Sequence, residues 1–407
     1  MIARKFRKLL LPAAVVAALM ASASAGAAVF VQCGPNNQYT RADGSSVEFP
    51  APNIHCKHLT GGDGFITMAD GRQMYNFGFA DVTSMPAADV ALDLAHANFV
   101  APTLELKEGE QFYLSLTNVG MVARPDLFDP HSVHFHGFAN QAPIFDGVPE
   151  PSFAISQGST LTYFYNLTDP GTYMYHCHVE AAEHIQMGMQ GNLFVKPAQD
   201  GTAKTYNGKT YTKFVYNDID GSTGYDKAAV LQLTAFDTAT HEADIGIQPI
   251  PFNQMHTVYP MINGRGYPDT ANPGALPPTE FNPYTIGTTN TSQKVTSLVT
   301  LNRAAEGTRL LLRLSNLGVA DYYTVTALGL PMKVVGGGAR QLRGPTGADL
   351  YYDTNSVTLG GGESVEVMVD TSGVPAGTYF LHTTNLNWLS NNQQDYGGMM
   401  TEIVISN

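Results

Sequence analysis

The run His176-Cys177-His178, followed by His184 and Met189, packs a thiol, three imidazoles and a thioether into fourteen residues. These are the donors of a blue-copper centre, in which a trigonal His₂Cys set with a long axial Met holds copper between its two oxidation states and passes single electrons. His131-Ser132-Val133-His134-Phe135-His136 supplies three more imidazoles. Taking one ligand from an early strand and three from a late loop gives His131, Cys177, His184 and Met189 as one set, with Met189 axial. Met187 fits on spacing alone, but Met189 leads directly into the closing strand Gly191–Val195. In a strand, residues two apart point the same way. His134 and His136 therefore share the face opposite Phe135, and His176 and His178 share the face opposite Cys177. Cys177 then points to one metal while its two covalent neighbours point to others, a short path for an electron.

The elements that must position these groups read as strands. Gly at 40 and Pro at 24 among 407 residues, with many Val, Thr, Tyr and Phe, favour strands and turns over helices. Leu104, Leu106, Phe112, Leu114 and Leu116 alternate with polar residues, as do residues 161–167, which is the period of a half-buried strand. Asp169-Pro170-Gly171-Thr172-Tyr173 turns into the strand that delivers His176-Cys177-His178. The second half repeats the first. Residues 108–120 reappear at 306–318, 170–176 at 376–382, and 187–195 at 397–405. Two copies of one all-β sandwich account for this. The expected division is 29–102 as a loop-rich N-terminal extension packed on the first domain, 103–200 as domain 1 and 201–407 as domain 2. Gly61-Gly62-Asp63-Gly64 and Asp70-Gly71 read as turns, and Asn207-Gly208 as a hairpin turn.

Residues 1–28 carry Arg4, Lys5, Arg7 and Lys8, an apolar run and small residues, the pattern of a cleaved signal peptide. Secretion is expected, with the bacterial periplasm as destination, and no membrane span. Without those four basic residues the formal charge moves from −13 to −17, which disfavours nucleic acid and anionic membranes. With Cys177 assigned to the metal, Cys33 and Cys56 remain as a disulfide pair suited to an oxidising compartment, or Cys56 joins His55 and His58 in a small metal site. His241 and His256 are expected to be structural or at the surface.

The copper segments resemble those of a known family. His131 to Gly137 is similar to the H-P-x-H-x-H-G pattern of multicopper oxidases, and the segment from His176 resembles H-C-H-x₃-H, with five residues instead of three before His184. Asn263-Gly264-Arg265-Gly266-Tyr267-Pro268-Asp269 also resembles a stretch of these oxidases. The chain is thus identified as a two-domain member of the superfamily of multicopper oxidases and copper nitrite reductases. The resemblance implies two tandem cupredoxin-like Greek-key sandwiches assembled as a homotrimer. It also implies type 1 copper at His131, Cys177, His184 and Met189. A type 2 and/or type 3 site would lie between domain 1 of one subunit and domain 2 of its neighbour, held by His134, His136, His176, His178 and His382.

Domain 2 departs from the oxidase pattern. Residues 321–329 contain no His where the first His-x-His pair belongs, and His382-Thr383-Thr384 keeps one His of the second. The absence of Cys from domain 2 rules out a type 1 site there. Of the nitrite reductase pattern, His136, His176 and His382 match the three type 2 ligands, while the catalytic Asp falls at His134 and the catalytic His near Leu328. Asp146 stands where oxidases carry an acidic proton donor, and as part of Asp146-Gly147 it reads equally as a turn. Three functions follow: an oxidase passing electrons from a small reduced substrate or redox protein to dioxygen; a nitrite reductase; and a blue-copper carrier without catalysis.

Overall fold

The computed structural model describes residues 38–40, 46–48, 53–138, 141–276 and 296–407. The first sandwich is built from β1 (Ile54–Thr67), β2 (Gln73–Asp81), β3 (Ala101–Lys107), β4 (Gln111–Gly120), β5 (His134–His136), β6 (Thr160–Asn166), β7 (Gly171–His176) and β8 (Gln190–Lys196). One sheet has the order β2-β1-β4-β6 and the other β3-β8-β7-β5. The inward residues are those the alternation picked out: Leu104, Leu106, Phe112, Leu114 and Leu116 are at most 1 % exposed. They pack with Phe135, whose ring stacks on Tyr165 at 4.2 Å.

The expected extension 29–102 is corrected here. β1 and β2 form half of one sheet, with β1 parallel to β4, and Leu59, Tyr75, Phe77 and Phe79 lie in the core. Without them β4 would have an unpaired edge and its sheet would shrink to the two strands β4 and β6. The supposed turn at Gly61–Gly64 lies inside β1. Its glycines mark close approach and a register shift between Gly61 and Gly62, not a reversal. The turn at Asp70-Gly71 is present, with Gly71 at φ +86°.

The second sandwich contains β11 (Lys227–Phe236), β12 (Tyr259–Ile262), β13 (Val299–Asn302), β14 (Arg309–Asn316), β15 (Tyr323–Ala327), β16 (Met332–Gly337), β17 (Val357–Leu359), β18 (Glu363–Asp370), β19 (Gly377–Thr383) and β20 (Met400–Ser406). Its sheets run β12-β11-β14-β18-β16, with smaller strands beyond, and β13-β20-β19-β15-β17. Between the two sandwiches in sequence comes the hairpin β9 (Lys204–Tyr206) and β10 (Lys209–Tyr211), reversed by Asn207 at φ +48° and Gly208 at φ +78°.

The repeat extends to single hydrogen bonds. Asn118 donates to Ile155 O at 2.9 Å and accepts from Gly120 N at 2.9 Å. Asn316 donates to Leu359 O at 2.9 Å and accepts from Gly318 N at 2.7 Å. The sandwiches join where β7 and β8 meet β14 and β18. Thr172 N donates to Glu366 at 2.8 Å, Ser364 Oγ donates to Thr172 O at 2.7 Å, and Arg313 donates to Thr172 Oγ1 at 2.9 Å. Met174, Ile185 and Leu317 close the seam with apolar contact.

Candidate metal centre

β7 ends at His176, so Cys177 enters the interior just past the strand, held by Cys177 N donating to Met189 O at 3.1 Å. The helix α1 (Ala181–Met187) carries His184 back over the thiol. Its Nδ1 lies 3.1 Å from Cys177 Sγ. His131 arrives from the loop before β5, pinned by reciprocal backbone bonds with Ile155 at 3.0 and 2.7 Å. The ligand atoms of His131, Cys177 and His184 all fall within 4.8 Å of one another, with every side chain fully buried. Among the described residues this is the one group of three such donors drawn so close.

These residues fit copper. Neither ring nitrogen of His131 has a hydrogen-bond partner, nor does His184 Nε2. A buried imidazole left so is costly unless something else takes its lone pair. Burial alone would raise the Cys177 thiol, but the imidazoles of His184 and His131 outweigh it and hold the thiol well below its ordinary value. The resulting thiolate is the ligand form, and Ser132 N–H points at it from 3.4 Å. Met189 closes the set: a Cβ added to Gly61 would meet His131 Cδ2 at 3.0 Å and Met189 Cε at 3.3 Å, so both side chains flank one glycine.

Four further imidazoles of the first sandwich, His134, His136, His176 and His178, form the second group. His134 lies with its ring centroid 5.1 Å from His178, 5.3 Å from His176 and 6.0 Å from His136. The shared faces are as the strand period requires: Phe135 is inside, and His134 and His136 are half-buried on the other side. His134 Nδ1 donates to Asp146 O at 2.7 Å and His176 Nδ1 to Cys177 O at 2.8 Å, which leaves Nε2 of each outward. Burial lowers the proton affinity of both, His176 to about 3, so each is neutral near pH 7 and able to ligate. His136 rests on Gly362 of the second sandwich, where a Cβ would come within 2.6 Å of its ring. His136 and His176 line a 260 Å³ cavity at that seam, with Leu317, Val319 and Gly361 opposite. The Asp146 carboxylate is 3.5 Å from His134 Nδ1.

His382 does not join this group within one chain. It pairs with Thr326 across β19 and β15, where His176 pairs with His134. Its Nδ1 donates to Thr383 O at 2.8 Å, copying His176. The same register puts Leu328 at the place of His136, Thr383 at Cys177 and Tyr323 at His131. Thr383 N donates to Met399 O at 3.0 Å, as Cys177 does to Met189. The second copy of the blue site is therefore filled by Tyr323 and Trp388, with ring centroids 4.9 Å apart.

Three contributors escaped sequence reasoning. Gly61 was hidden as a turn glycine, Ser132 lay unweighed between ligands, and Asp129 stands two residues before His131 with its carboxylate 3.9 Å from His184 Nε2. Glycine inside an alternating apolar run was the available signal for the first; the others depend on loops meeting in space. Cys56 is disulfide-bonded, while Cys33 and the signal segment lie outside the described residues. His55 lies 3.3 Å from Glu110 and His58 Nε2 2.7 Å from Thr117 Oγ1. His241 is buried between Tyr75 O and Gln186 O, and His256 is exposed.

A sequence family described as multicopper oxidase matches residues 86–200, and a second so described matches 236–404. A multicopper oxidase of Mycobacterium tuberculosis, MmcO, is 31 % identical over 119 residues, 28 % of this chain and 20 % of that protein. The chain thus spans about a fifth of the length of that curated relative. The blue copper oxidase of Nitrosomonas europaea superposes with TM-score 0.61 at 21 % identity, covering 86 % of each chain. The copper nitrite reductase of the same organism gives 0.57 at 15 % identity, covering 87 % of this chain and 94 % of that one. These two share the fold of two cupredoxin sandwiches. The two family matches together take in more than half of the sequence, on a scaffold and ligand set that suit copper, and the chain belongs to the multicopper oxidase and cupredoxin superfamily.

Proposed function

We propose that the chain is a copper-dependent oxidoreductase that takes single electrons from a small reduced substrate or redox protein at His131, Cys177, His184 and Met189. A second copper site held by His134, His136, His176 and His178 would supply the means to reduce dioxygen with those electrons. The observation that carries this reading is the convergence of His131 and His184 on the buried Cys177 thiol, whose covalent neighbours, His176 and His178, belong to the second imidazole group. Copper bound at the first centre supplies one-electron transfer by alternating between its two oxidation states.

The protein's own groups do the rest. Buried walls around Cys177 exclude water and hold three ligands in fixed geometry. The Cys177 carbonyl accepts from His176 Nδ1, so the His176 ring is tied to the backbone of Cys177 by a hydrogen bond as well as by the chain. Asp129 faces the outer edge of His184, and Asp146 fixes the tautomer of His134 through its carbonyl. The Asp146 carboxylate, half-exposed beside that ring, serves as proton donor.

Assembly as a homotrimer, in the periplasm, belongs to the same proposal. In the first sandwich His136 and His176 lie against the second sandwich, at Gly362 and the cavity of the seam, while His134 is half-buried beside them. The equivalent face of the second, carrying His382, Phe380 at 36 % and Leu328 at 63 % exposure, is open. A neighbouring chain on that face would bring His382 towards further imidazoles in a closed ring. No helix among the described residues is long and apolar enough to cross a membrane.

A nitrite reductase is the second reading, favoured by His382 as the one imidazole of domain 2 at a ligand position of the repeat and by the pairing of His136 with His176 in one cavity. Copper content with paramagnetic resonance separates the two. The oxidase reading expects about three or four coppers per chain and oxygen uptake. About two coppers with nitrite turnover supports the second reading. A colourless copper-loaded protein overturns both.

A further inference from the structure

At the end of the second sandwich remote from the imidazoles, the hairpin β9–β10 folds over the start of β14 and encloses a cavity of about 380 Å³. Its walls include Tyr206, Lys209, Tyr211, Arg309, Lys333 and Met368. The lining carries three cations, Lys209, Arg309 and Lys333, against two carboxylates, Asp353 and Asp370, on a chain whose formal charge is −13. Arg309 is the notable one. It is 6 % exposed, its Nη2 donates to Ser222 O at 2.9 Å, and its Nη1 is buried without a hydrogen-bond partner. The guanidinium carbon lies 5.3 Å from the centroid of Tyr206 and 5.2 Å from that of Tyr211, between two aromatic rings.

Carboxylates lie nearby, Asp370 directly across the sheet from Arg309, but none pairs with its guanidinium. Asp226 Oδ2 accepts from the backbone N–H of Thr308 and of Arg309, each at 2.8 Å, and pairs with Lys209. Asp370 accepts from Ser372 N at 2.9 Å. Asp353 pairs with Lys333 at the rim, at 3.3 Å. Arg309 makes no ion pair among the described residues. A buried charge without a counter-charge is expensive, and an oxyanion is what a planar guanidinium binds best.

We propose that this cavity binds a small planar organic acid, its carboxylate on Arg309 Nη1 and its ring between the tyrosine side chains and Met368. The volume lies within the range of small-ligand sites. β14 has eight residues, so its length puts Arg309 about 23 Å from Asn316 and the imidazole seam. The ligand is therefore a passenger or effector, not an electron donor in contact with the copper ligands.

Titration calorimetry on the copper-loaded full chain tests this with benzoate, benzamide and inorganic phosphate. Benzoate should bind saturably, one per chain, and benzamide at least about tenfold more weakly for lack of the charge. Arg309→Gln should lose benzoate binding while the visible absorption of the copper centre is retained. If that variant does not fold, Tyr206→Ala and Lys333→Gln, at the hairpin and rim, should each weaken benzoate several-fold. Absence of saturable benzoate binding up to about 10 mM overturns the proposal. So does benzamide binding as well as benzoate, unchanged affinity in the variants, or phosphate binding with benzoate excluded.

Discussion

Gly61 offers a sharp test of how the blue site is built. Its φ is not among the positive ones, so alanine fits the backbone. On backbone grounds alone Gly61→Ala should stabilise by about 0.4–1 kcal/mol through the unfolded chain. The added Cβ, however, would sit 3.0 Å from His131 Cδ2 and 3.3 Å from Met189 Cε. Met189 can swing its terminal methyl, but His131 is a rigid ring fixed at its backbone by Ile155. Overpacking of this kind costs about 1–3 kcal/mol, so the clash wins. Net destabilisation of about 1 kcal/mol should lower the melting temperature of the copper-free protein by about 2–4 °C. In the copper-loaded protein the visible absorption and paramagnetic signal should shift, because His131 or Met189 has moved. Gly61→Val should abolish the signal. A Gly61→Ala protein with wild-type spectrum and unchanged or higher melting temperature would refute the claim that these two side chains share one wall.

Cys177→Ser should remove the blue colour and leave a folded protein, measured by absorbance and far-ultraviolet dichroism, because the thiolate is the ligand and the site is otherwise prebuilt. Asp146→Asn should keep His134 in place, since its carbonyl and not its carboxylate is the 2.7 Å anchor. Turnover should nonetheless fall several-fold for lack of the proton donor, read from steady-state oxygen uptake with the copper content held equal. His241 is buried, and burial depresses its proton affinity from 6.5 to about 4. A histidine with a lowered folded value favours the fold when neutral. Its contribution is complete above pH 6.5 and is lost as pH falls towards 4, on the order of 3 kcal/mol. Urea titrations across that range should show a loss that His241→Gln reduces; equal slopes in both proteins would contradict it.

How much of this was legible in the sequence follows residue type and separation. The period of Leu104 to Leu116 and the doubled Pro-Gly-Thr-Tyr passages set out two sandwiches, because burial on one face of a strand imposes a period of two. The donors of the blue site were legible because copper requires particular atoms and few residues carry them. The domain limit was missed, since glycines at 61, 62 and 64 break the apolar rhythm of β1. What they serve, the approach of His131, Met189, Val119 and Ala97, comes from segments far away in the chain.

The sequence by itself named the candidate donors His131, Cys177, His184 and Met189, the doubled sandwich, and the lack of a Cys in the second copy. These depend on chemical identity and on local period. Only the tertiary structure decided that Gly61 walls the site, that Asp129 faces His184, and that His136 leans on Gly362. It also decided that His382 stands on an open face apart from the other imidazoles. Those relations arise where separate loops and sheets pack together, and no spacing along one strand encodes them.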